Sequence, residues 1–212
     1  ALARLDALAA LRVVSANVSA PPANAEDGAA YIVPAGASGA WSGAADRVAI
    51  WENGGWVLAD PKAGWSAWNE ATGDRWQYDG GGWVRRAAVI SPGGAATLSA
   101  IAESEHDVAS AATSTTVDLI PSHSLVLGIS GRILQAVTGT GGAASWRVGV
   151  PGADNRYGSG LGFAVGSDMT GLTGSPQAYY ADTPLIMTAD TGAFAGGQVR
   201  FAVHYLALQP PR

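Results

Sequence analysis

The first fourteen residues, ALARLDALAALRVV, place Leu2, Leu5, Leu8 and Leu11 at three-residue intervals. That spacing puts the four side chains on one side of a helix, and alanine, the strongest helix former, fills most of the positions between them. The pattern predicts a short helix over residues 1–14. A stripe on so few residues does not hold a helix alone in water and needs a partner surface. That partner is either the chain's own domain or sister helices in a bundle. Because the chain then enters the Pro21-Pro22 pair instead of turning straight back, residues 1–23 read as a helical stalk and linker with sister helices as the favoured partner.

Residues 24–88 follow a different pattern. Two pieces resemble each other: Arg47–Val57 reads RVAIWENGGWV and Arg75–Val84 reads RWQYDGGGWV. Each is an apolar-rich run, then an acidic or amide residue with glycines, then Trp-Val. Asn-Gly and Asp-Gly steps allow positive φ, which suits the tight turns between twisted antiparallel strands. The pattern predicts β-hairpins turning at Asn53–Gly55 and Asp79–Gly82, with a further turn over Asp60–Gly64 between them. The block is a small β meander holding seven of the eight tryptophans: Trp41, Trp51, Trp56, Trp65, Trp68, Trp76 and Trp83.

Residues 89–100 read as a connector. From Ile101 on, short runs of Val, Ile, Leu, Thr and Ser alternate with glycine turns. Strands are predicted at Asp107–Ser110, Thr116–Ile120, Ser124–Thr138, Ala144–Val150, Leu161–Val165, Pro184–Thr188 and Gln198–Leu208. Short strands at such regular spacing point to a β-sandwich or jelly roll over residues 101–212. The last run, QVRFAVHYLAL, alternates long enough to serve as a central strand. The chain is therefore expected to be all-β apart from its short N-terminal helix.

Composition narrows the function. Glycine makes up 29 of 212 residues, without a collagen period, and 48% of residues are hydrophobic, too many for a disordered chain. No stretch has the unbroken apolar length of a membrane-spanning helix, so membrane insertion is not expected. The net charge is −5, and a protein that grips phosphates carries a basic excess instead, so no nucleic-acid partner is expected. The absence of cysteine removes disulfides and thiolate metal sites. Charged residues are only 14% of the chain, too few to dress a monomer's surface, so sister copies are expected to cover part of it. A trimer fits a leucine-striped helix ahead of a β domain.

Catalytic signals are weak. In ESEHD, Glu103, Glu105 and Asp107 would share one strand face while His106 points the other way, so the cluster reads as a solvated acidic edge and not a metal site. His123 and His204 stand alone. No nucleophile-elbow, zinc-protease or phosphate-loop motif occurs. Asp154, Asp168, Asp182 and Asp190 lie in Gly- or Pro-rich stretches where aspartate serves turns, although a glycosidase pair among them is a reading the sequence leaves open. No enzymatic activity and no cofactor are expected.

Aromatic residues carry more. A small meander has a limited core, so some of its seven indoles are expected inside and others at the surface, unless all seven stack within the hairpins. An exposed ring beside polar groups suits the C–H face and hydroxyl edge of a sugar, and the same rings could serve protein contact. Trp65 and Trp68, with Asn69, are the expected projecting residues. A second polar-aromatic patch, Asp154, Asn155, Arg156 and Tyr157 with Tyr179 and Tyr180, is expected in loops, where recognition residues concentrate.

Two stretches resemble known proteins. Tyr31-Ile32-Val33-Pro34, Gly39-Ala40-Trp41-Ser42-Gly43, Val48-Ala49-Ile50-Trp51, Gly55-Trp56 and Asp60-Pro61-Lys62-Ala63-Gly64-Trp65 are similar to a Trp-rich domain of unknown function. That domain is found in tail fibre proteins of phages and gene transfer agents. Arg132-Ile133, Val137-Thr138-Gly139, Val148-Gly149, Arg156-Tyr157-Gly158-Ser159-Gly160-Leu161, Pro184-Leu185, Phe194-Ala195-Gly196-Gly197, Val199-Arg200 and His204-Tyr205 resemble the C-terminal domain that accompanies it. Ser145-Trp146-Arg147 departs from the Phe-containing run expected there, so ligand preference does not carry across.

The resemblance implies a trimeric fibre or spike on a virion-like particle, joined to other tail proteins through its N-terminal side. Its ligand would be cell-surface polysaccharide or lipopolysaccharide, bound for host attachment. A tail-spike depolymerase and a purely structural fibre module are the alternatives.

Overall fold

The computed structural model describes residues 8–212. Strands hold 58% of the residues and helix 2%, as the alternating runs and glycine turns predict. The chain divides into two units. The first runs to Leu98 and regains Gln209–Arg212, and the second is Ser99–Leu208.

In the first unit the strands are β1 (Arg12–Val13), β2 (Ala30–Ile32), β3 (Val48–Glu52), β4 (Gly55–Ala59), β5 (Ser66–Asn69), β6 (Asp74–Tyr78), β7 (Trp83–Arg85) and β8 (Ala87–Ile90). They form a sheet of order β2-β3-β4 and another of order β1-β5-β6-β7. Both predicted hairpins are present. Asn53 and Gly54 take φ of 51° and 79°, and the two-residue turn brings Trp51 opposite Trp56, their rings 5.0 Å apart. In the second hairpin the Asp79 carboxylate accepts the N–H groups of Gly81 and Gly82 at 2.9 and 3.0 Å, and Arg212 pairs with it at 2.8 Å. Burial pushes this carboxyl up, but those hydrogen bonds and the arginine outweigh it and leave it below the usual carboxylate range.

The N-terminal stretch departs from expectation. Much of the predicted helix, including Leu2 and Leu5, lies outside the described residues. Leu8 and Ala9 are helical, but the chain is extended from Leu11 on, and Arg12–Val13 pairs in parallel with Trp68–Asn69. Leu11, Val13 and Ala16 are buried with Ile32, Val48, Ile50 and Ala67. Alanine-rich helix propensity is a weak prior, and apolar burial against a waiting sheet overrides it. The expected connector is also structured: Ala87–Ile90 pairs with Ala96–Leu98, packing Val84, Ala87 and Ala96 together.

The second unit uses β9 (Ala96–Asp107), β10 (Thr113–Ile120), β11 (Ser124–Thr140), β12 (Trp146–Val150), β13 (Ala153–Leu161), β14 (Asp168–Tyr179), β15 (Thr183–Ala189) and β16 (Ala193–Gln209). The unit boundaries fall within β9 and β16. Strands β14, β11, β16 and β9 are neighbours in one sheet, and β10-β15-β12-β13 form the other. One apolar core joins them, with Ile129, Ile133, Phe201 and Val203 from the first and Trp146, Val148, Leu185 and Met187 from the second. This is the expected sandwich. Three elements differ from the sequence reading: β9 begins well before Asp107, Ala153–Leu161 is a strand, and Asp168–Tyr179 is another, while 162–165 is not. Trp146 lies in the core, its indole N–H donating to the carbonyl of Gly162 at 2.8 Å.

Candidate functional site

Strand alternation decides which of the expected residues reach solvent. Along β5, Ser66 and Trp68 face out while Ala67 and Asn69 face in. Trp68 is 47% exposed, the most open large aromatic of the first unit. Asn69 has no exposure, so the expectation that it projects beside Trp68 is corrected. Its side-chain oxygen instead accepts the Ala71 N–H at 3.1 Å, closing the turn into β6. Trp65 is half-buried and packs, with Trp76 and Trp83, against the core around Val13 and Ile50. Trp41 is fully buried among Tyr31 and Trp56, at 5.3 and 4.9 Å. Most indoles thus build the unit, and Trp68 is the one most open to solvent.

The surroundings of Trp68 come from three strands. Arg12 is its register partner on β1 and Arg75 its partner on β6. The Arg12 guanidinium pairs with Glu70. Ser66 and Gln77 form the adjacent cross-strand pair. On the opposite face Asp74 accepts hydrogen bonds from Thr72, Trp76, Arg85 and Arg86. Burial pushes the Asp74 carboxyl up, but these donors together hold it below its usual range. That buried hub fixes the β5-β6-β7 strands that present Trp68.

The second expected patch is only partly assembled. Asp154, Asn155, Arg156 and Tyr157 lie in strand β13 and not in a loop, which corrects the sequence reading. Tyr157 is 2% exposed, so it is a core residue and not a contact one. Its hydroxyl sits 2.8 Å from that of Tyr179, and burial followed by this bond pushes its pKa up. Asp154 is held by Arg147 at 2.9 Å. Asn155 and Arg156 are exposed, and Arg156 donates to Gln177 at 2.8 Å. Tyr179 closes β14 half-buried, and Tyr180, in the turn after it, is 80% exposed. Asn155, Arg156 and Tyr180 are therefore the members of that set open to a ligand. Trp68 belongs to the first unit and these three to the second.

The open carboxylates are engaged. Asp190 accepts from Ser145 at 2.6 Å and pairs with Arg147 at 3.0 Å. Those hydrogen bonds, Ser145 first, hold its pKa low against the opposing effect of burial. Asp168 pairs with Arg132 at 3.3 Å, and Asp182 accepts the Ser122 N–H at 2.7 Å. A general acid needs a raised pKa, and that of Asp190 is held low instead. No group of three or more metal-binding side chains occurs among the described residues; His106 instead meets Ser114 Oγ at 2.7 Å.

Sequence reasoning missed one surface. A groove of about 360 Å³ runs over the outer face of the second unit's sheet, lined by Ser130, Arg132, Asp168, Thr170, Arg200 and Glu103 among others. Arg132 and Arg200 are direct register partners. Like charges in that position repel, and Asp168 on one side and Glu105 on the other pair with them. The alternation in QVRFAVHYLAL gave half of this row; the pairing that completes it depends on strand order.

Among curated proteins, none matches the chain. Among solved structures, a chain of the "Cyanophage Pam1 capsid asymmetric unit" is similar at 19% identity and a TM-score of 0.42, over 52% of this chain and 86% of that one. At this level the likeness assigns no function. Residues 1–84 match the family described as "Protein of unknown function (DUF2793)", a span that takes in strands β1 through β6 and with them the sheet row carrying Trp68.

Proposed function

We propose that the chain is an attachment module of a phage-like particle, a fibre or spike that binds cell-surface polysaccharide without cleaving it. The particle context rests on the resemblance of residues 31–65 and 132–205 to tail fibre domains. The observation that carries the binding reading is the exposed indole of Trp68, flanked across the neighbouring strands by Arg12 and Arg75 and next to the Ser66–Gln77 pair. An indole face stacks on sugar C–H groups, and flanking donors and acceptors meet the hydroxyls. The pairing of Asp154, Asp168 and Asp190 with arginines, and the bond from the Ser122 N–H to Asp182, favour a structural role for these carboxylates and hence adhesion over hydrolysis.

A trimer agrees with the low charge of the chain and with the exposure of Ile101, Leu125, Leu127 and Leu172 on the second unit's sheet strands. Repeating a weak site in each subunit and fibre multiplies the hold of the particle on a cell. The test is acrylamide quenching of tryptophan fluorescence with and without purified bacterial surface polysaccharides. A bound polymer is expected to shield the most accessible indole, and Trp68→Ala to reduce the quenchable fraction and remove binding. Polymer that loses chain length on incubation would replace this reading with a depolymerase, and unchanged quenching with every polymer would reject it.

A further inference from the structure

We infer that the row Arg12–Trp68–Arg75 is a subsite for an acidic sugar, one that carries a carboxylate on its ring. The inference rests on the polysaccharide reading above and adds the ligand's charge. Three strands bring these residues side by side, since Arg12 pairs in register with Trp68 and Trp68 with Arg75. Neighbouring strands lie about 4.8 Å apart, so an indole stands between two arginine stems at roughly the width of one sugar ring. All three side chains are exposed.

The two arginines differ in a useful way. Arg12 is tied to Glu70, which orients its guanidinium and cancels much of its charge. Arg75 has no ion pair or side-chain hydrogen bond among the described residues. Its planar fork suits a carboxylate in two parallel hydrogen bonds, while the indole takes the apolar ring face. Ser66 and Gln77, the adjacent pair, offer hydroxyl and amide groups to sugar hydroxyls. A nucleic acid would also stack and pair here, but the net charge of −5 gives its phosphates no track to follow.

The experiment compares binding of the full chain to polygalacturonate, to the same polymer with its carboxylates reduced to alcohols, and to oligodeoxythymidine, read by calorimetry and by shielding of tryptophan from acrylamide. Polygalacturonate is expected to bind at least about tenfold more tightly than the reduced polymer, with a preference that falls as salt rises. Arg75→Gln is expected to erase that preference while residual binding to both polymers persists, because stacking on Trp68 remains. An unchanged melting temperature for this exposed variant separates lost contact from lost fold. Equal binding of the charged and reduced polymers would overturn the acidic subsite and leave polysaccharide attachment standing. Binding of neither polymer would overturn the acidic subsite, while the attachment reading falls only if the bacterial surface polysaccharides also leave tryptophan quenching unchanged. Tighter binding of oligodeoxythymidine would overturn the sugar in favour of nucleic acid.

Discussion

His106 shows how one side chain's setting decides its role. In ESEHD it sits among acids, yet strand alternation turns it inward, where Nε2 meets Ser114 Oγ, itself accepting the Ala109 N–H at 2.8 Å. Burial lowers the imidazole's pKa below its ordinary 6.5, and the nearby Asp107 offsets this only in part. The folded chain therefore binds that proton less readily than the unfolded one. The stability contribution is complete above the ordinary pKa and is lost as pH falls toward the depressed folded value. Urea unfolding between about pH 7 and pH 5 is expected to show a falling midpoint, and His106→Gln to flatten that slope. Asn69 teaches the companion lesson. Its alternation with Trp68 was readable in SAWN, since adjacent strand residues face opposite sides.

At the scale of elements, turn chemistry was the most legible feature. Asn53-Gly54 and the Asp79 loop name their hairpins because few residues tolerate those backbone angles. Strands β13 and β14 were not legible, since DNRYGSGL and DMTGLTGSPQAY lack a hydrophobic alternation and contain glycines typical of loops. One of those glycines, Gly171, answers to close approach instead. A Cβ on Gly171 would lie 1.9 Å from the carbonyl oxygen of Tyr157, so β13 can cross β14 only where a side chain is missing. Gly171→Ala is expected to destabilise the second unit by about 3 kcal/mol, measured by calorimetric unfolding. Gly174→Ala on the same strand, where a Cβ meets nothing within 4 Å, is the control and should be nearly neutral.

For the whole molecule, the question is what covers the apolar side chains that the fold leaves open. Ile101 on β9, Leu125 and Leu127 on β11 and Leu172 on β14 are exposed on strands of one sheet in the second unit. With a chain this poor in charge, self-association is the expected remedy. Sedimentation equilibrium at micromolar protein is expected to give the mass of a trimer, and Ile101→Glu with Leu172→Glu to shift it to one chain. A wild-type mass of a single chain would remove the oligomer from the proposed function.

The amino-acid pattern by itself determined the all-β class, both Trp hairpins and the sandwich of the C-terminal half, because turn residues and alternation act over a few neighbours. Which tryptophan faces water, which aspartates are neutralised by arginine, and which two arginines flank Trp68 were decided by tertiary structure. Those relations join residues on separate strands, and strand order and register follow from packing a shared core, which no local stretch of sequence encodes. The N-terminal segment marks the boundary between the two, for its residues favour a helix locally and the apolar surface beside them draws Leu11 into the core and Arg12–Val13 into a strand.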